Sequence, residues 1–248
     1  MRRFTCCLVG LLSLALAGAS GAAPQNPRAE LRVLFIGNSL TFTNDLPAIV
    51  GALAEAGKQK RFVYKSVTYP NLSLEDQWNR GDAQKAIAKD KWDVVVLQQG
   101  PSGLEESRRL LIEYVRLFDK AIRAAGAKPA LYMVWPSEQR FKDFDRVIES
   151  YKSAAEEVKG LLFPVGVAWL EARKRDANLP LYSVDRFHPS FIGSYLAALV
   201  IYEKLFNRSP IGLPANLKIR SKVLDKIELT KAQADLLQAA ATEANKKF

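Results

Sequence analysis

The sequence predicts a three-layer α/β/α sandwich around a central, mainly parallel sheet of five strands. Two observations lead there. Apolar runs alternate with amphipathic helical stretches between residues 31 and 206, the order that produces crossover-connected sheets. Three of those runs, 33–36, 94–97 and 131–134, are nearly continuous instead of alternating apolar with polar residues. A strand covered on both faces reads that way, and parallel sheets are covered on both faces.

The elements follow in order. Strands are expected at 31–37, 62–68, 93–99, 130–135 and 161–165. Helices are expected between them at 46–56, 82–89, 105–125 and 144–159. The third helix sets Leu110, Leu111, Tyr114, Leu117, Phe118, Ala121 and Ile122 on one face and stops at Ala125-Gly126, a natural C-terminal signal. A further helix at 190–206 starts after Pro189, and a last one at 231–244 is expected to pack outside the sheet. There is no internal repeat and no second domain.

The chain begins differently. Met1-Arg2-Arg3 is a short positive start, Leu8 to Ala17 is apolar, small residues crowd Ala17 to Ala23, and Pro24 opens a polar stretch. That order is a secretory signal peptide over 1–23, followed by an N-terminal segment 24–30 and a domain over 31–248. The apolar run is about ten residues, short of the roughly 20 that cross a bilayer, so no stable membrane anchor is expected. Export to the periplasm or the outside follows. Cys6 and Cys7 both lie in the leader. The exported chain would then have no disulfide, thiolate metal site or cysteine nucleophile.

Charge limits the partners. The chain carries 36 basic and 26 acidic residues, a net charge of +10. The basic residues are dispersed among acids and form neither a stripe nor a known motif, so no nucleic-acid partner is expected. Attraction to acidic glycans is compatible with this balance, as is a merely solvated basic surface.

Two segments carry chemistry. The first strand ends in Ile36-Gly37-Asn38-Ser39-Leu40-Thr41. Ligands in open α/β sheets bind beyond the carboxyl ends of strands, which places a serine here well. Ser39 is either a nucleophile whose own N–H helps hold an oxyanion or a helix cap. The second segment is Ser183-Val184-Asp185-Arg186-Phe187-His188-Pro189-Ser190, with the only histidine of the chain. A lone histidine without cysteines makes no zinc site, and no metal or organic cofactor is called for. Asp185, three residues earlier, is placed to orient the imidazole of His188, leaving its other nitrogen for the Ser39 proton. In α/β-hydrolases the serine sits in Gly-x-Ser-x-Gly, with acid and base on separate loops. Here Thr41 replaces the second glycine, and Asp185 and His188 share one loop.

On these residues the chain resembles the SGNH (GDSL-type) hydrolases. Gly37-Asn38-Ser39-Leu40 is similar to that superfamily's Gly-Asp-Ser-Leu block, and Asp185-x-x-His188 to its last block. The resemblance runs from about residue 31 to 206 and implies a flavodoxin-like sandwich. It also implies a serine esterase that acts through an acyl-enzyme, with Ser39, Asp185 and His188 catalytic. The superfamily draws oxyanion donors from a glycine after the second strand and an asparagine after the third. This chain has Thr68-Tyr69-Pro70-Asn71-Leu72-Ser73 and Leu97-Gln98-Gln99-Gly100 there. Expected replacements are a backbone N–H at Asn71, Leu72 or Ser73 and the amide of Gln98 or Gln99, with Asn71 and Gln98 preferred. Trp135, leaving the fourth strand, is either a platform for substrate or a core residue, and Trp78 is weighed the same way. The expected substrate is a small-molecule or glycan ester, with short acyl groups first. The alternatives are a non-catalytic glycan-binding protein on the same fold and an O-acyltransferase.

Overall fold

Strand β1 (Glu30–Gly37) lies inside the sheet, and its buried stretch from Val33 to Gly37 matches the continuous apolar run. The computed structural model describes Met1 and residues 29–248, so the expected leader over 1–23 lies outside the described residues. Beside β1 stand β2 (Arg61–Thr68) and β3 (Val94–Leu97), followed by β4 (Lys128–Tyr132) and β5 (Leu161–Phe163). The order is β2-β1-β3-β4-β5, and every neighbouring pair is parallel. All of β3 and nearly all of β4 are buried. β2 is an edge strand and partly exposed along its length.

The winding reverses after β2, and this sorts the helices into two layers. After β1 come the single turn α1 (Ser39–Phe42) and helix α2 (Leu46–Ala56). From β2 to β3 the chain runs through α3 (Leu74–Arg80) and α4 (Asp82–Lys89). Next, α5 (Glu105–Ala124) leads to β4, and α6 (Phe144–Glu157) leads to β5. Helices α3, α4, α5 and α6 pack on one another in one layer. The other layer holds α2 with α7 (Val165–Arg175) and α8 (Phe191–Phe206). An antiparallel hairpin, β6 (Asn216–Lys218) with β7 (Lys226–Glu228), precedes α9 (Lys231–Asn245). Helix α9 packs outside the sheet, against α7 and α8.

Two boundaries differ from the sequence reading for physical reasons. The fifth strand stops at Phe163, and Val165 opens α7. Pro164 stands between them and has no N–H to continue a ladder. Helix α7 is buried from Val165 to Trp169, so its sequence shows no amphipathic stripe and resembles a buried strand. The fourth strand's pairing ends at Tyr132, with Met133, Val134 and Trp135 continuing fully buried beyond it.

Candidate active site

The site is built where β1 and β3 end side by side. Their register pairs Ile36 with Leu97, and the Gln98 N–H donates to the Ile36 carbonyl at 2.9 Å. A β-carbon at Gly37 would stand 2.5 Å from Gln98 Oε1 and 2.7 Å from Thr41 Oγ1. Glycine is what allows the two chain segments to approach this closely. Asn38 then leaves the strand in an extended conformation and caps α1, its Oδ1 accepting from the Leu40 N–H at 3.1 Å. Its Nδ2 donates to the Leu72 carbonyl at 3.0 Å, tying β1 to the loop after β2. Ser39 follows as the first residue of α1, only 8% exposed. N–H groups of a helix's first turn have no intrahelical partner, which leaves that of Ser39 available.

The loop that carries Asp185 and His188 is a tight, internally bonded turn. The Ser183 N–H donates to the His188 carbonyl at 2.8 Å, and the Arg186 N–H to the Ser183 carbonyl at 3.0 Å. Arg186 closes the turn with a φ of 61°. Asp185 Oδ1 accepts from the Phe187 N–H at 3.0 Å and from the His188 N–H at 2.9 Å. Its Oδ2 lies 2.5 Å from His188 Nδ1, and His188 Nε2 lies 2.8 Å from Ser39 Oγ. With a neutral ring the chain of bonds has one consistent direction: Ser39 donates to Nε2, and Nδ1–H donates to Asp185. The His188 bond holds the Asp185 carboxyl below the usual carboxylate range, helped by the two backbone N–H groups. The structure thus brings together all three residues singled out in the sequence.

Ser39 opens into a cleft of about 500 Å³, within the usual range for small-molecule sites. Asn38, Asn71, Leu72 and Ser73 line one side, and the 99–104 loop the other. Pro136, Ser137, Arg140, Asp143, Val147 and Phe187 complete it. Asn71 has a φ of 61°. That left-handed conformation favours glycine and is tolerated by asparagine.

Two expectations are corrected. Gln98 does not face the cleft, because its amide turns inward and is fully engaged. Its Oε1 accepts from the Asn38 N–H at 2.9 Å and from Thr41 Oγ1 at 2.6 Å. Its Nε2 donates to Asn38 Oδ1 at 2.9 Å and to the Gln99 carbonyl at 2.6 Å. No donor is left to point at an oxyanion. Gln99 does line the cleft, but its amide is held by Leu74, Ser102 and Ser107. Trp135 is fully buried and stacked on Trp169 at 3.7 Å, and its Nε1 donates to the Phe187 carbonyl at 3.0 Å. It supports the histidine loop from below and offers no face to a ligand. Trp78 likewise packs edge-on against Phe118 at 5.0 Å.

The sequence reading missed the charged group on the cleft wall. Asp143 is 2% exposed and accepts from Arg140 Nε at 2.6 Å and from Arg146. The two guanidiniums hold its carboxyl below the usual range, that of Arg146 most of all. Its signal was an acid with a base three residues to either side.

A serine, histidine and aspartate in hydrogen-bonded series, at the switch point of a doubly wound parallel sheet, define a nucleophilic hydrolase site on a flavodoxin-like frame. Comparison with solved structures narrows the class. A protein assigned to the SGNH hydrolases, from Slackia heliotrinireducens, is 30% identical over 71% of this chain and 99% of its own, with a TM-score of 0.61. The chain belongs to the SGNH hydrolases. A DUF4886 family protein from Bacteroides uniformis shares the fold at 22% identity and a TM-score of 0.69, over 87% of this chain and 94% of its own. So does a catalytic mutant of Axe2, an acetylxylan esterase from Geobacillus stearothermophilus. The values there are 17% and 0.57, over 71% and 94%. No protein-family model and no curated protein matches the chain.

Proposed function

We propose that this hydrolase is an exported serine esterase that cleaves carboxylic esters through an acyl-enzyme. The observation that carries the proposal is the bond series from Ser39 Oγ to His188 Nε2 at 2.8 Å and from Nδ1 to Asp185 at 2.5 Å. Ser39 Oγ attacks the acyl carbonyl as its proton passes to Nε2, and Asp185 holds the ring and balances the imidazolium charge. The tetrahedral oxyanion is held by backbone N–H groups, that of Ser39 and one in the loop at Asn71. His188 returns the proton to the departing alcohol oxygen as the C–O bond breaks. Water then repeats the cycle and releases the acid and free Ser39.

Short acyl groups on a small molecule or glycan are the substrate class. A cleft of this size with serine, asparagine and arginine on its walls suits a sugar better than a long acyl chain. Among the described residues no helix is long and apolar enough to cross a membrane. Residues 1–23 serve as the export signal, 24–30 as a linking segment and 31–248 as the catalytic domain. The test is hydrolysis of p-nitrophenyl acetate by the purified protein and its Ser39→Ala variant. Loss of roughly 10⁴-fold in kcat is expected in the variant. Equal rates in the two forms, or a folded wild-type protein with no turnover, would sink the proposal.

A further inference from the structure

A second cavity, also of about 500 Å³, lies at the sheet's edge between α2, β2 and the segment from Lys218, the end of β6, to Arg220. It is remote from Ser39. Phe62 precedes the carboxyl end of β2 by six residues, or about 20 Å along a strand. The cavity exists because α2 turns Ala48, Gly51 and Ala52 toward it, with Glu55 beside them at the rim. The first three are too short to fill the space between helix and edge strand. A β-carbon at Gly51 would already touch Phe62 at 3.4 Å.

Its floor and rim differ sharply. Phe62 and Tyr64 form the floor, their rings stacked with centroids 5.7 Å apart and 27° between planes. Phe62 is wedged edge-on against Phe35 and Phe206, which fixes its ring. Burial, together with the nearby Asp45 carboxylate, pushes the pKa of the Tyr64 hydroxyl up to about 12. Asp45 accepts from Ser221 Oγ at 2.6 Å, which anchors the loop next to Arg220. On the rim, Lys60, Arg61, Lys218 and Arg220 face a single carboxylate, Glu55. Arg220 pairs with Glu55 at 3.0 Å, and Arg61 with Glu30 at 3.0 Å. Among the described residues no acid lies within ion-pair distance of Lys60 or Lys218.

We infer that this groove is a second carbohydrate-binding site, taking a carboxylate-bearing sugar unit of an acidic polysaccharide. The fixed aromatic floor accepts an apolar face of the pyranose ring, and the two unpaired ammonium groups take the carboxylate. The concave shape favours a chain of single rings over the flat surface of a membrane or the width of a nucleic-acid duplex. Its place far from Ser39 makes it an anchoring site. It holds the protein on an acidic polymer while the cleft works on neighbouring units.

The test is affinity electrophoresis of the full chain through gels containing polygalacturonate or, as the neutral control, dextran. Lys60→Gln/Lys218→Gln is run beside the wild type, with p-nitrophenyl acetate hydrolysis and thermal melting as checks that the variant is folded. The wild type should be retarded by polygalacturonate alone. Its Kd in that gel should rise about tenfold or more in the double variant. Soluble oligogalacturonate should release it at concentrations where sodium chloride of equal ionic strength does not. Three results would overturn the inference: an unretarded wild type, equal retardation of the variant, or release by chloride as readily as by the oligosaccharide. The retardation does not depend on ester turnover, so failure of the esterase reading would leave this result separately readable.

Discussion

Gln98 illustrates how a side chain of the right chemistry serves the site without touching it. Its amide makes four hydrogen bonds, two of them to Asn38 and one to Thr41 on the turn that presents Ser39. Gln98 is therefore a positioning residue. Replacing it with leucine leaves the Asn38 N–H and Oδ1 without these partners and lets the Ser39 turn shift. A misplacement near 1 Å costs on the order of 10²-fold in rate. Gln98→Leu should lower kcat for p-nitrophenyl acetate by about 10- to 100-fold with little change in KM. Active-site titration checks that the loss is per folded site. Gln98→Glu keeps both accepting bonds but sets its second oxygen against Asn38 Oδ1 and the Gln99 carbonyl, so it should not recover the rate. A variant with wild-type kcat would refute the positioning role. The sequence supplied the residue type, but alternation along a strand cannot say which way the last side chain points once the ladder has ended.

The start of α8 decides where His188 stands. Ser190 caps the helix, accepting from the Gly193 N–H at 3.1 Å, while its N–H bonds back to the Leu181 carbonyl at 2.8 Å. A bridge between Tyr182 and Pro189 closes the base of the histidine loop. This packing needs a glycine one turn into the helix. A β-carbon at 193 would clash with the Leu181 carbonyl and stand 2.8 Å from Trp169 Cζ2. Gly193→Ala gains helix propensity yet should destabilise the fold by about 1–3 kcal/mol, as overpacking does. It should also reduce esterase activity, because the helix start and the loop move together. Chemical denaturation and steady-state rates on the same samples check both. Unchanged stability would mean that α8 shifts freely at this end. At this scale the sequence was informative where helices are amphipathic, as in α5, and misleading where they are buried all round, as at the start of α7.

The C-terminal end is tied to the body of the molecule by charge. Glu171 on α7 is 6% exposed and accepts from Lys174 at 2.8 Å and from Lys247 at 2.7 Å. These bonds pull its carboxyl down to about 2. A depressed folded-state pKa contributes stability above the ordinary carboxylate range, and that contribution is lost as pH falls from about 4.5 toward 2. The lysines are half exposed, so solvent screens the pairs and limits the contribution to about 1–2 kcal/mol. Glu171→Gln should lower the melting temperature at pH 7 by about 3–6 °C, and the gap should narrow steadily below pH 4.5. A gap of constant size across that range would show that the loss comes from packing instead of ionisation.

The sequence by itself determined the layers, the parallel sheet and the three residues of the bond series. Continuous apolar runs report burial on both faces, and an acid three residues before a histidine closes a tight turn through local hydrogen bonds. Tertiary structure alone decided what completes the site. Gln98 and Trp135 differ from cleft residues only in direction, which is set by the Asn38 turn and by the Trp169 ring packed against Trp135. The place of Arg140 and Asp143 in the cleft wall, and the groove between α2 and β2, depend on which elements lie side by side. Local patterning is encoded within a few residues of chain, whereas a cleft is made by residues that meet only after the sheet has closed its layers.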